Sequence, residues 1–327
     1  MRAVQATSFG APSVLTLAEL PDPSPGPGEV AIDVTHAAVG LIDILLRQGT
    51  FRDQPGMPQP PFIPGLEVAG TVRALGPGVS GLAIGEQVVS MSAGAGTGGY
   101  AALYIAPFSA VVSIHDQEID PAVAVSVIPN AAMAHVALTR VLHLTEGETV
   151  LVNGGLGGFA AAFPGMARAL GASRVVGTVR PGKMAAAAVT KLPYDAIVDS
   201  TNLAGALSRE RFDIIIDPVG GSIRTQSLDH LKAGGRLLAA GNASSDWTHQ
   251  IDDNRLWLGS ITISGFNAGA YLPAHPHLLR PALEAAVQAV ADGLGQTEVD
   301  VLPFSEAATA HQRMEDRKLN GRIALTP

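Results

Sequence analysis

Two textures of apolar and polar positions divide the chain. Up to about residue 120, short apolar runs such as VAIDV (30–34), EVAGTVRAL (67–75) and EQVVSM (86–91) alternate with PDPSPGPGE, LGPGVSG and GAGTGG. Short β-type runs between Gly- and Pro-rich spacers predict strands and turns, and an all-β or partly open barrel fits them best. PDPSPGPGE follows too little chain to close a domain and reads as a surface turn. From about Pro121 the runs VLVNG, RVVGTV, AIVDS, DIIIDPVG, GRLLAAG and SITISGF alternate with Ala-rich stretches of helical length. Nearly continuous apolar runs of roughly four to eight residues suit strands covered on both faces, so this half predicts βα units on a parallel sheet. After a helix near 281–292, the tail VDVLPFSEAATAHQRMEDRKLNGRIALTP offers a strand, a helix and a strand that return to the first domain. The expected division is 1–121 with 270–327, and 122–269.

Composition narrows the function classes. At 327 residues the chain has room for two domains of about 100 to 200 residues each. Hydrophobic residues are 47% and charged residues 15%, which suits a large buried core. A net charge of −8 without Lys/Arg runs argues against nucleic acid or an anionic membrane and favours a small-molecule partner. No signal segment opens the chain and no apolar run approaches the roughly 20 residues of a membrane span, so a cytoplasmic location is expected. Cysteine is absent, which removes disulfides, thiolate chemistry, Fe–S clusters and every Cys-containing zinc site.

The strongest local signal is VLVNGGLGGFAAAFPGMARALGA, where Gly155-x-Gly157-x-x-Ala160 follows an apolar strand and opens an Ala-rich helix. In such a turn the first Gly allows the tight bend, the second lets backbone N–H groups approach a pyrophosphate, and the small third residue packs helix on strand. Gly158 and Phe159 complete the turn. Pro164 and Gly165 lie about two turns into this helix, which must kink there or start late. At the end of the second strand an NAD site offers a carboxylate to the ribose. Here stand Thr178, Arg180 and Lys183 instead, and two cations attract a 2′-phosphate that a carboxylate repels, so NADPH is the expected cofactor.

With these residues in place the chain resembles the zinc-independent quinone oxidoreductase and enoyl reductase branch of the medium-chain dehydrogenases/reductases. The likeness spans nearly the whole chain, through PGLEVAGTVRALGPGVSGLAIGEQVV, GGYAALYIAP, the Gly155 to Ala160 turn, FDIIIDPVGGSIRTQSLDHLKAGGRLLAAGNAS and MEDRKLNGRIAL. It implies a GroES-like β-barrel domain completed by the C-terminal tail, a Rossmann doubly wound parallel sheet, NADPH in the cleft, and a homodimer through the Rossmann sheets. Zinc-using relatives carry Cys and His where this chain has Gly40 and Leu66, and neither side chain offers a lone pair to zinc, so no metal is expected. The resemblance also implies that Gly241 and Asn242 pass near the nicotinamide, that Arg317 reaches the 2′-phosphate, and that Asn130 and Met133 lie beside the nicotinamide. Ser200 replaces an adenosine-contacting Tyr of some relatives.

Hydride transfer to a C=C or a quinone requires positioning, a dry pocket and a hydrogen-bond or proton donor for the developing oxyanion. Tyr271 in SGFNAGAY is the candidate donor, its alternative being a partly buried interface residue; Asn267 either orients the acceptor oxygen or forms a turn. Asp43, Arg47 and Phe51 share one helical face at i, i+4 and i+8: Asp43 is either an ion-pair partner of Arg47 or catalytic, and Phe51 is a pocket wall. His135 is either an acid or a satisfied core histidine, and His275 with His277 reads as a solvated loop pair. The sequence reading is an NADPH-dependent, metal-free reductase of quinones or α,β-unsaturated carbonyls. A dedicated biosynthetic enoyl reductase and a non-catalytic NADPH-binding structural or sensor protein are the alternatives.

Overall fold

The computed structural model describes residues 1–92, 98–295, 297–317, 319 and 321–327. Most of the expected turn GAGTGG, and Lys318 and Asn320 of MEDRKLNGRIAL, lie outside them. The chain forms two compact units: Met1–Pro129 with Leu272–Ala291 and Thr297–Pro327, and Asn130–Tyr271 with Asp292–Gln296. The divisions fall after 129 rather than 121 and after 271 rather than 269, inside two helices rather than at a change of composition.

The elements of the first unit's N-terminal part are β1 (Arg2–Ala6), β2 (Leu15–Glu19), β3 (Glu29–Ala38), α1 (Leu41–Gln48), β4 (Glu67–Leu75), β5 (Gln87–Met91), β6 (Leu103–Pro107), β7 (Val111–Ser113) and the start of α2 (Pro121–Val136). β3 is the hub. One edge pairs antiparallel with β4, the other with β6 along 29–33 and with the last strand at 37–38. Its alternation buries Val30, Ile32 and Val34 against Val68, Val72, Val88 and Tyr100. The strands cross closely: a Cβ on Gly70 would stand 2.0 Å from the Asp33 carbonyl, so only glycine fits there. Near one end of this hub, α1 starts at Gly40 and stops at Gly49, whose φ of 75° is left-handed.

The second unit holds β8 (Thr149–Val152), α3 (Phe163–Ala169), β9 (Arg174–Val179), α4 (Met184–Val189), β10 (Ala196–Asp199), α5 (Leu203–Leu207), β11 (Phe212–Asp217), α6 (Gly221–Ser227), β12 (Leu231–Ala239), α7 (Asp253–Gly259), β13 (Thr262–Gly265) and the start of α8 (Ala268–Ala274). All six expected strands form, every pairing is parallel, and the order is β10-β9-β8-β11-β12-β13. That is the doubly wound Rossmann order, whose direction reverses at the first strand and whose ligands gather at the strands' carboxyl ends. Leu151, Val176, Phe212, Ile215 and Leu237 form the core on one face. Of the two outcomes expected for Pro164, the structure shows the late start: a 3₁₀ turn covers Ala160–Ala162, and α3 begins at Phe163 with Pro164 in its first turn, where no helical N–H is lost.

The remainder, α9 (Leu279–Ala291), β14 (Val299–Pro303), α10 (Ala307–Glu315) and β15 (Arg322–Thr326), belongs to the first unit, where β15 joins β3 and β14 lies parallel to β15. One expectation is corrected. Pro121–Val141, formed by α2 and the π-helical turn after it, is long and apolar enough to span a membrane by length and composition, and most of it is buried within the protein.

Candidate functional site

At the carboxyl ends of β8, β9, β11 and β12, one polar network links four strands that are far apart in sequence. Asn153, just past β8, donates from Nδ2 to Asp217 Oδ1 at 3.2 Å and to Ser227 Oγ at 2.8 Å, and it accepts from the Thr178 hydroxyl at 3.2 Å. Asp217, the last residue of β11, is fully buried. Its carboxylate accepts from the N–H groups of Val219 and Gly220 and from Arg224 Nε at 2.5 Å. Arg224 donates its Nη2 to the Gly241 carbonyl at 2.7 Å.

The glycine turn lies above this network. Gly155 N–H bonds to the Thr178 carbonyl, and Gly157 N–H closes on Gly154. Gly157 is exposed, while Gly158 and Phe159 are half-buried, and among the described residues neither N–H of that pair meets a backbone acceptor. A late helix thus leaves these donors without a backbone acceptor at the position where a pyrophosphate is expected. Ala160, the small third position, is buried against the sheet, as its packing role requires. Tyr194 sets the turn's height from below. Its hydroxyl donates to the Gly155 carbonyl at 2.8 Å, and burial raises its pKa above the ordinary phenol value. A Cβ on Gly155 would stand 2.6 Å from that hydroxyl, and one on Gly177 3.1 Å from the ring. Glycine at 155 therefore makes room for a tyrosine as well as for a bend.

The expected cofactor residues separate into two groups. Thr178 is fully buried with its hydroxyl given to Asn153, so its expected role as a cofactor contact is corrected to that of a support beneath the turn. Arg180 is exposed and Lys183 half-exposed at the end of β9; burial and the adjacent Arg180 charge lower the Lys183 pKa. Two cations therefore stand close together, and the segment TVRPGK (178–183) contains no carboxylate. Gly241 is exposed at the end of β12, and half-buried Asn242 accepts from Ser244 Oγ at 2.8 Å. These residues fit a phosphorylated dinucleotide: a glycine cradle, backbone donors and a cation pair. Arg317, the remaining expected contact, is exposed with a φ of 56° and lies in the first unit.

Among the chemical candidates, Tyr271 is half-buried on α8 with its ring centroid 5.6 Å from that of Phe266. Asn267 Oδ1 accepts from the Gly269 N–H, which is its turn-forming alternative. Asn130 is buried and Met133 half-buried one turn apart on α2. Burial and the Arg140 charge lower the His135 pKa.

In the first unit the ion-pair reading of Asp43 is corrected. Asp43 accepts from Gly40 N–H at 2.8 Å, Gly65 N–H at 3.1 Å and the Tyr100 hydroxyl at 3.3 Å, while Arg47 pairs with Glu315 instead. A carboxyl enclosed this way supports α1. Burial pushes its pKa up to about 7 despite the Gly40 and Gly65 bonds. His311 Nε2 lies 3.2 Å from the Tyr100 oxygen, and burial with the Arg47 charge brings its pKa down to about 3. Phe51 packs on the first unit's core. Among the described residues no group of three or more His, Cys, Asp or Glu is placed to hold a metal.

Asn153, Tyr194, Asp217 and Arg224 escaped the sequence reading. Two signals pointed toward them: Gly177 inside a buried strand marks a close approach, and Asp217 is a charged residue ending an apolar strand.

Known proteins resemble both parts of the chain. Residues 26–116 match the alcohol dehydrogenase GroES-like domain family and 192–325 the zinc-binding dehydrogenase family. The human synaptic vesicle membrane protein VAT-1 homolog is 25% identical over all of this chain and 86% of its own. Acryloyl-coenzyme A reductase of Metallosphaera sedula is 28% identical over 94% of this chain and 95% of its own. Solved structures of a mycobacterial quinone oxidoreductase and of a mycobacterial protein complexed with NADPH each superpose with a TM-score of 0.83 at 29% identity, covering all of both chains.

Proposed function

The chain is a member of the medium-chain dehydrogenases/reductases, in their zinc-independent quinone and enoyl reductase branch, and from that premise we propose that it is an NADPH-dependent, metal-free, cytoplasmic reductase of quinones or α,β-unsaturated carbonyls. The observation that carries the cofactor reading is the Arg180–Lys183 pair at the end of β9, beside a glycine turn with backbone donors and without the carboxylate an NAD site uses. The similarity to a protein solved with NADPH supports the same assignment. When bound, the dihydronicotinamide supplies the hydride.

The chain's own residues bind, orient and donate. Gly158 and Phe159 N–H groups hold the pyrophosphate, Arg180 and Lys183 the 2′-phosphate, and Gly241 and Asn242 face the nicotinamide. Asn130 and Met133 line the acceptor side with mostly apolar surface. Tyr271 hydrogen-bonds the acceptor oxygen through its hydroxyl as charge builds there. Named substrates of the relatives, acryloyl-coenzyme A and quinones, share an electron-poor π system beside a carbonyl, and that chemistry is the acceptor class assigned here. Gly40 and Leu66 in place of metal ligands leave polarisation of that carbonyl to protein donors. A second copy pairs along β13, the outer strand of the parallel sheet, with exposed Trp257 and Leu258 on the preceding helix joining the contact.

The test is NADPH oxidation, followed by near-ultraviolet absorbance, against benzoquinone, phenanthrenequinone, cyclohexenone and a short 2-enoyl thioester, with NADH as control. Turnover of the quinones or the enone with NADPH preferred is expected. Tight NADPH binding without any turnover overturns the reductase reading.

A further inference from the structure

We propose that Asp217 and Arg224 are positioning residues for the nicotinamide end of the cofactor, acting through the loop 240–244 that they hold against the end of β11. The inference rests on the NADPH reading above and adds a division of labour within it. The chain of contacts runs in one direction. Asp217 fixes the turn after β11, because its carboxylate accepts from the N–H groups of Val219 and Gly220. That turn is the template for the next loop: Ala240 N–H bonds to the Asp217 carbonyl at 3.0 Å, Ala243 N–H to Pro218 at 3.1 Å and Ser244 N–H to Val219 at 2.8 Å. Arg224 ties the two together, with Nε on Asp217 and Nη2 on the Gly241 carbonyl.

Steric limits narrow this seating to glycine at two positions. A Cβ on Gly241 would come within 2.8 Å of the Pro218 carbonyl. A Cβ on Gly220, whose φ is 76°, would meet Asn242 Oδ1 at 2.4 Å. The Asn242 side chain therefore rests over a glycine that Asp217 holds in place. Neither Asp217 nor the guanidinium of Arg224 is needed to touch the cofactor: one is fully buried and the other is 20% exposed. The fork geometry is what matters, since a planar guanidinium reaches a carboxylate and a carbonyl with two separate N–H groups while an ammonium is a single point. The cations at 180 and 183 lie at the end of β9, on the far side of β8 from this loop, so the two halves of cofactor recognition are carried by different strands.

The experiment compares the full-length protein with Arg224→Lys and Arg224→Ala. It measures NADPH affinity, the emission of the bound dihydronicotinamide, thermal stability, and kcat and KM with the best acceptor of the panel. Arg224→Lys keeps a cation beside the buried Asp217 and gives up the second bond to Gly241, so a role confined to neutralising Asp217 predicts wild-type behaviour for it. Positioning predicts instead that both variants hold NADPH within about three-fold of wild type, since the phosphate contacts are independent. Both then show altered nicotinamide emission and a kcat lowered about 10-fold or more, as misplacement of a reacting group does. Added guanidinium at millimolar concentration is expected to restore part of the Arg224→Ala loss. Unchanged emission and kcat in Arg224→Lys overturn the inference while leaving the NADPH reading intact. Absence of NADPH binding by the wild-type protein overturns that reading, and this inference with it.

Discussion

In the first unit one cluster of buried polar groups is ionisable and enclosed: Asp43, Arg47, Tyr100 and His311 lie among α1, the Gly65 turn and α10, and among the described residues Arg47 Nε and Nη1 and His311 Nδ1 have no partner. In the second unit a different buried cluster lies at strand ends: Asn153, Thr178, Asp217 and Ser227 each have a hydrogen-bond partner and support the turns after β8 and β11. The first arrangement fixes helices at the cost of displaced pKa values. The second fixes the seating of the turns after β8 and β11. One cluster thus holds a helix in place and the other the turns at the carboxyl ends of the parallel strands.

The largest expected effect breaks that contrast from the first side. Asp43→Ala leaves the Gly40 and Gly65 N–H groups and the Tyr100 hydroxyl without their acceptor, a loss of about 2–5 kcal/mol by the usual cost of orphaned buried donors. Thermal unfolding should show it, while NADPH affinity of the folded variant stays near wild type. An equal fall in affinity would dissolve the distinction between the units.

Next comes the cation pair. Arg180→Ala with Lys183→Ala should weaken NADPH about 10- to 100-fold, the worth of one or two charge-assisted bonds, with NADH little changed. Titration with both cofactors decides it, and parallel losses would remove the 2′-phosphate assignment. Gly155→Ala is expected to weaken both cofactors about 10-fold, because overpacking against Tyr194 costs about 1–3 kcal/mol. Removing the ring in Gly155→Ala/Tyr194→Ala should restore most of that affinity. Persistent loss would mean that the turn itself, rather than the tyrosine below it, demands glycine.

The smallest effect concerns pH. Asp43 takes up its proton with a pKa of about 7 in the fold against an ordinary 3.8, so its stabilising protonation is complete below pH 3.8 and is lost as pH rises through about 7. Burial raises Glu67 in the same direction. His311 works oppositely: with a pKa of about 3 against 6.5, it stabilises above pH 6.5 and that contribution is lost as pH falls. Asp43→Asn should therefore make stability rise more steeply between pH 4 and pH 7 than in wild type, as read from denaturant midpoints across that range. An unchanged slope would place the Asp43 proton elsewhere.

Particular residues show how far the sequence reaches. The six parallel strands, the glycine turn, the cation pair and the returning tail were all legible, because each depends on residues close together in the chain: apolar runs, Gly spacing, and charges following a strand. Asp43 was misread because i, i+4 spacing pointed to Arg47, whereas the fold brings Gly65, Tyr100 and Glu315 to that place. Thr178 was misread for the same reason, since nothing near it in sequence announces Asn153.

The sequence by itself determined which segments become strands, where the glycine turn falls and which charges follow β9, since local propensity and apolar period need no distant partner. Tertiary structure decided which polar side chains hold up the turns at the strand ends. Tyr194 beneath Gly155 and Arg224 beneath Gly241 acquire their roles only when parallel strands bring 155 beside 194 and 217 beside 241, since hydrogen bonds and steric limits act over a few ångströms whatever the separation along the chain.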